Sequence, residues 1–336
     1  MDSFRPGKLH LDLMAELLSA AVRPDPSVIV GPGIGEDAAV IDFGPRYLVA
    51  KTDPITFATD RIGWYAVTVN ANDIATRGAR PRWFLATVLL PETGTDQALT
   101  ASIFAQMRAA CDGIGVTLVG GHTEVTIGLD RPIVVGTMLG EVERDRLIST
   151  SGLSVGDRIL LTKGVPIEGA AILAVEAGER LMSMGVAAAE LDAARSLLDD
   201  PGISVSREAA IAAATGWVTS MHDPTEGGVA TALLEMARAA RVGLRVRRDR
   251  IPVLPVAERL CAALGLDPLG VIASGALLIG VRTEGAEAVI EALRSEGIPV
   301  AEIGEAVPEE EGATFVRVEH CDPIPYFEKD EIARIL

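Results

Sequence analysis

Apolar positions recur along this chain with two different periods. Leu9, Leu13 and Leu17 fall every fourth residue, so a short amphipathic helix opens the sequence. Val28-Ile29-Val30 comes next, followed by a glycine-rich turn over 31–37. The short runs 38–41 and 47–50, parted by Phe43-Gly-Pro-Arg46, read as two strands joined by a turn. Residues 60–78 follow helical spacing, with Asp60 as N-cap and Gly78 as the stop. A helix over 97–111 is flanked by strands over 83–90, 116–121 and 133–141.

Ser149, Thr150, Ser151, Gly152 and Gly156 crowd into residues 145–156 and mark a boundary. Beyond it, strands over 158–161, 217–220, 243–246, 276–281 and 299–306 mix with helices over 167–177, 206–214, 226–240, 256–264 and 286–296; 178–201 reads as helix and loop. The longest nearly unbroken apolar run, Leu269 to Val281, is too short to span a bilayer and reads as a buried strand. Neither half shows a strict βα alternation. The expected fold is therefore α+β in two domains, 1–150 and 151–336, rather than one doubly wound sheet.

Composition narrows the function. The 336 residues are 49% apolar, ample for a core, but only 4% aromatic, so Ala, Val, Leu and Ile must build it. Lys and Arg total 30 against 47 Asp and Glu, a formal charge of −17. Such a surface repels nucleic-acid backbones and anionic lipid, so neither nucleic acid nor membrane is an expected partner. Cys111, Cys261 and Cys321 are too sparse for a disulfide framework or a CxxC-type zinc site. The first residues lack a signal-peptide pattern, and a cytoplasmic setting is expected.

Several acids stand where an apolar segment meets a turn: Asp37 after Gly31-Pro-Gly-Ile-Gly35-Glu, Asp53 in Lys51-Thr-Asp-Pro54, and Asp223 in His222-Asp-Pro-Thr-Glu-Gly-Gly228. Any one of them alone is as readily a turn former. Asp73 differs, because it sits in Asn70-Ala-Asn-Asp-Ile74 inside a largely apolar helix. Burying it demands a partner or a cation; the alternative is an exposed helical Asp. Converging carboxylates of this kind hold Mg²⁺, together with substrate phosphates and water. Gly33 and Gly35 can bring backbone N–H groups to phosphate oxygens, but the turn is neither a Rossmann fingerprint nor a Walker A loop. Gly120-Gly121-His122-Thr123-Glu124 reads as a second glycine turn, and Gly227-Gly228 as a third, at a helix N-terminus that favours an anion. His122 and His222 can donate to phosphate or carry a proton, or simply bond their own loops. His10 and His320 are expected to be exposed. Arg245 and Arg247 are expected on one face of an edge strand, and Glu309-Glu310-Glu311 in a solvated turn.

In this order, Gly-Glu-Asp-Ala-Ala-Val (35–40), Thr-Asp-Pro (52–54), Asn-Asp-Ile-Ala (72–75), Gly-Ala-Arg-Pro (78–81), Gly-Gly-His-Thr-Glu (120–124), Gly-Asp-Arg-Ile-Leu (156–160) and His-Asp-Pro-Thr-Glu-Gly-Gly-Val-Ala (222–230) resemble the aminoimidazole ribonucleotide (AIR) synthetase, or PurM, superfamily. Within it the chain is most similar to the hydrogenase maturation (HypE) and AIR synthase-related branch, over about residues 28 to 320. The resemblance implies a PurM-like N-terminal domain whose sheet pairs into a barrel-like homodimer, and a C-terminal α/β/α layered domain. It implies ATP and Mg²⁺ as cofactors, and phosphorylation of an amide, carbamoyl or phosphate oxygen on a small-molecule or protein-borne acceptor. By position, Asp37, Asp53, Asp73 and Asp223 would serve the metal. Gly33, Gly35, Asp37, Asp53, Asn72, Asp73, Gly120, Gly121 and Thr123 would serve the nucleotide, and Asp223, His122 and Glu124 the chemistry. His122 stands where relatives carry an acid, a role Glu124 could take over, and Glu226 stands where an Arg is frequent. HypE proteins end in a cysteine, whereas this sequence ends in Leu336. Two alternatives follow: a small-molecule kinase like thiamine phosphate kinase, and a nucleotide-binding maturation partner without catalysis.

Overall fold

The computed structural model describes residues 11–33, 35–56, 60–316 and 321–335; Leu9, His10, Ile34, His320 and Leu336 lie outside them. The chain divides into two compact units. Pro24–Gly31 and Asp37–Leu147 form the smaller. Ile148–Leu336 forms the larger, together with the first helix, α1 (Leu11–Ala21), and Pro32–Glu36.

The smaller unit is a six-stranded sheet carrying two helices. Its strands are β1 (Val28–Val30), β2 (Ala39–Phe43), β3 (Arg46–Ile55), β4 (Arg80–Pro91), β5 (Thr117–Thr126) and β6 (Ile133–Glu143), in the spatial order β1-β2-β3-β6-β4-β5. All pairs are antiparallel except β4 with β5. The helices are α2 (Ile62–Ala75) and α3 (Gln97–Ile114). Twelve of the fourteen α2 residues are buried, because α2 lies between the sheet and α3. A helix covered on both sides must be largely apolar, and this one is, apart from Thr68, Asn70, Asn72 and Asp73. The close fit needs small residues. A Cβ on Gly140 would stand 2.4 Å from Ile74, and one on Gly63 would stand 2.5 Å from the Ile103 carbonyl. Asp96 caps α3, accepting from the Leu99 N–H at 2.7 Å, and Gly115 ends it at φ +68°.

The larger unit holds β7 (Arg158–Thr162), β8 (Val218–His222), β9 (Gly243–Arg247), β10 (Leu278–Val281), β11 (Val300–Val307), β12 (Ala313–Val316) and β13 (Cys321–Pro323). They form one mixed sheet, β13-β12-β9-β11-β7-β10-β8. Its helices are α4 (Ile167–Glu176), α5 (Gly178–Ser183), α6 (Ala188–Ser196), α7 (Ser206–Ala214), α8 (Gly228–Ala240), α9 (Pro255–Leu264) and α10 (Ala286–Ser295). Leu233 and Met236 of α8 pack on Ile159, Leu161, Leu278 and Ile303. Leu160 and Ile279 point the other way and are also fully buried, so both faces of the central strands are covered. Helices α7 and α10 pack on each other beside β8 and β11. Helices α4, α5, α6 and α9 make a separate apolar cluster around Leu173, Leu181 and Leu260.

Four expectations are corrected. Asp60 does not cap α2: Arg61 holds the N-cap position without a side-chain bond, and Asp60 offers its carbonyl to Gln106 instead, at 2.9 Å. Gly120 to Glu124 is not a turn but the middle of β5, paired with Leu85 to Leu89. The strand β9 is not an edge, since β11 and β12 pair on either side of it. Arg245 and Arg247 do share its exposed face, and are met there by Glu305, Glu311 and Asp249. The apolar run 269–281 becomes strand only from Leu278; before that it is buried irregular chain, tied to α4 by the Gly169 N–H to the Ile272 carbonyl at 3.0 Å.

Candidate functional site

The carboxylates that meet in the smaller unit are placed by two periodicities. Val49 is fully buried, and the strand period of two puts Lys51 and Asp53 on the same face of β3, toward α2. On α2, Asn70 and Asp73 are three residues apart and so share one helix face. The two faces meet because β6 carries Gly136 opposite Asp53, where a Cβ would stand 2.4 Å from Asn70 Nδ2.

Lys51 Nζ lies 3.1 Å from Asp73 Oδ2 and 3.7 Å from Asp53 Oδ2. Asp73 is buried and Asp53 is 37% exposed in its side chain, so the cluster opens to solvent on the Asp53 side. Burial alone would lower the Lys51 pKa, but the carboxylates of Asp73, Asp53 and Asp37 outweigh it and hold the ammonium charged well above its ordinary range. Burial pushes the Asp73 carboxyl upward. Asp37 and Asp53 add to that, while Lys51 opposes it. Asp37 has its own cation, Arg77, fully buried with Nη2 3.4 Å from Asp37 Oδ2. Thr76 Oγ1 donates to the Asp73 carbonyl at 2.8 Å and stands 3.3 Å from Asp37 Oδ2.

Asn70 is fully buried and gives its amide to the Ala66 carbonyl at 2.8 Å and the Asp53 carbonyl at 3.4 Å. Its Oδ1 has no hydrogen-bond partner among the described residues. A buried acceptor without a donor calls for a water, an ion or a ligand group. Asp37, Asp53 and Asp73 add carboxylate oxygens in the same unit, and oxygen is the donor chemistry that Mg²⁺ takes.

The candidates on β5 lie elsewhere on the smaller unit's sheet. His122 and Glu124 pair directly with Thr87 and Leu89, on the sheet face opposite α2, and their side chains lie 3.1 Å apart in solvent. His122 stands in register with Pro54 across β4 and β6, about 14 Å away by strand spacing. Within one chain, then, neither residue joins the carboxylates. Gly120, Gly121 and Thr123 lie on the same exposed strand. Gly121 runs against the Ala86 backbone, where a Cβ would stand 1.9 Å from its carbonyl oxygen.

In the larger unit, Asp223 follows β8 and is 2% exposed. His222 is buried with Nε2 3.0 Å from Glu235 Oε2 of α8. Gly35 takes φ +78° against the backbone of α8 at Glu235, and Gly33 is exposed. The Gly227 N–H, expected to favour an external anion, already donates to Asp330 Oδ2 at 2.8 Å.

Sequence reasoning missed Lys51, Asn70, Thr76 and Arg77. Strand alternation was the available signal for Lys51, two residues before Asp53. No comparable signal marked Arg77, whose burial depends on the tertiary fold.

Residues 35–142 match the N-terminal domain of the AIR synthase related protein family, and residues 154–317 match its C-terminal domain. A carbamoyl dehydratase HypE of Rhodobacter capsulatus is 32% identical over 93% of this chain and 89% of its own. That of Azotobacter vinelandii is 33% identical over 84% of this chain and 81% of its own. The crystal structure of a hydrogenase maturation protein HypE in complex with ATP superposes with a TM-score of 0.71 at 26% identity, covering 96% of this chain and 99% of the other.

Proposed function

The chain belongs to the AIR synthase related family, and from that premise we propose that it is an ATP-dependent enzyme of the HypE type. It transfers phosphate from Mg²⁺-ATP to an amide, carbamoyl or phosphate oxygen of a small-molecule or protein-borne acceptor, in hydrogenase maturation or a related assembly step. The observation that carries this reading is the group of Asp73, Lys51, Asp53 and Asn70, in which the buried Asn70 Oδ1 has no hydrogen-bond partner among the described residues and asks for a ligand. The near full-length likeness to carbamoyl dehydratases supports it.

Asp37, Asp53 and Asp73 are the residues that would hold Mg²⁺, and the ion would neutralise charge on the phosphates. Arg77 fixes Asp37 from the protein interior, so that this carboxylate cannot swing away. Lys51 compensates the acids while no phosphate is present and offers an ammonium to phosphate oxygens when one is. Phosphoryl transfer asks little covalent chemistry of a protein, and positioning plus charge stabilisation of this kind is what it needs.

The exposed strand β5 is the seam along which a second copy would pair to close a barrel. The three free cysteines, two of them buried, fit a cytoplasmic setting. Among the described residues no helix is long and apolar enough to cross a membrane.

Calorimetric titration with β,γ-methylene ATP in Mg²⁺ tests the reading. Saturable binding is expected, and Asp73→Asn should weaken it about tenfold, roughly 1.4 kcal/mol. Equal affinity in the variant, or no binding by the wild type, rejects the reading.

A further inference from the structure

The ammonium of Lys51 sits where the carboxylates of Asp53 and Asp73 would otherwise share a metal ion. Its Nζ lies within 4 Å of an oxygen of each, 3.7 and 3.1 Å away. Oxygens that already face one cation across such a gap can face a second only if the first leaves. Lys51 is tethered to β3, so it competes at an effective concentration that a free ion in solution does not match.

Charge counting points the same way. In the gap itself Asp53 and Asp73 carry two negative charges and Lys51 one positive charge, which leaves one net negative charge. That is a weak lure for a divalent ion that surrenders its water reluctantly. A polyphosphate reverses the balance. It brings several negative charges and gives the ammonium a better partner than Asp53 or Asp73. It thereby frees both carboxylates.

We propose that Lys51 is a built-in counter-cation that keeps free divalent ions out of the gap between Asp53 and Asp73, so that the site takes up metal only together with a polyphosphate. The polyphosphate half of this inference rests on the nucleotide reading above; the metal half does not.

Mn²⁺ is the probe, followed by electron paramagnetic resonance and by thermal melting of the full chain. Without nucleotide, the wild type should show no saturable Mn²⁺ binding below the millimolar range, and its melting temperature should not respond to the ion. Lys51→Met keeps most of the stem and removes the charge. It should bind Mn²⁺ at least tenfold more tightly, and Mn²⁺ should raise its melting temperature. Lys51→Arg should exclude the ion as the wild type does. Lys51→Met with Asp73→Asn should lose the gain; a gain that survives places the ion elsewhere and overturns the proposal. So does micromolar Mn²⁺ binding by the wild type alone, a result that holds even if Lys51→Met fails to fold. With β,γ-methylene ATP added, the wild type should bind Mn²⁺ saturably. If Lys51→Met gains its ion but the wild type ignores the nucleotide analogue, the counter-cation stands and the nucleotide reading falls.

Discussion

Glu168 shows how one buried acid can set a pH response. It lies in the first turn of α4, is 7% exposed, and shares a hydrogen bond with Ser274. Burial pushes its carboxyl up to about 7; Asp330 and Glu226 add to the rise, and Ser274 opposes it. A carboxyl with a higher pKa in the folded chain than in the unfolded one holds its proton more tightly when folded. Its contribution to stability is complete below about pH 4.5, the unfolded value, and is lost as pH climbs through about 7. The loss is on the order of 3 kcal/mol. Glu168→Gln, neutral at every pH, should therefore melt above the wild type at pH 8 and show a flatter melting profile between pH 5 and 8. Matching profiles for the two proteins would show that Glu168 does not titrate in this range. At this scale the sequence spoke unevenly. Asp73 announced itself as an acid in an apolar helix. Lys51 and Glu168 did not, because a charged residue on a half-buried strand or a helix start looks the same whether it meets solvent or another charge.

At the scale of elements, periodicity recovered most strands and helices, and its failures share a cause. The strand β5 continues through Gly120-Gly121 because pairing with β4 outweighs the turn preference of two glycines. The strand β9 is central because β12 closes on it from far along the chain, which no local pattern encodes. The stretch after β7 shows how such non-local ties hold elements together. Lys163 takes φ +57°, a conformation that costs a non-glycine residue energy. Its Nζ is held 2.6 Å from Glu208 of α7 and bonded to the carbonyls of Ser204 at 2.7 Å and Gly202 at 3.2 Å. Both side chains of the ion pair are about 95% buried, 6% and 4% exposed. Lys163→Met would strand a buried carboxylate and two carbonyls, and should destabilise the protein by about 3–5 kcal/mol in urea unfolding. Adding Glu208→Gln should recover part of that loss. A single variant within 1 kcal/mol of the wild type would show that the pair is not what pins α7.

For the whole molecule, the open question is what covers the far side of the smaller unit's sheet. Helices α2 and α3 bury one face, where Phe84, Ala86, Val88, Val134 and Met138 alternate into the core. The alternate residues Trp83, Leu85, Leu89, Ile133, Val135 and Leu139 point away and are only half-buried. At the edge, the ten residues of β5 have no neighbouring strand on one side among the described residues, with Val119 and Val125 more than half exposed and Ile127, just past the strand, 83% exposed. Long apolar edges of this kind are normally blunted or paired. The net charge of −17 works on average against a nucleic acid or an anionic membrane, so a second copy laid edge to edge is the economical cover. Pairing of this extent has to bury roughly 1,000 Å² or more to persist in dilute solution. Sedimentation equilibrium should give twice the 35.2 kDa chain mass for the wild type. Val119→Asp with Val125→Asp should halve it, while the melting profile of the larger unit stays unchanged, because both valines are exposed in the single chain. A wild type that sediments as one chain at tens of micromolar would remove the barrel. It would also leave His122 and Glu124 without a site to join, since within one chain they face away from Asp53 and Asp73.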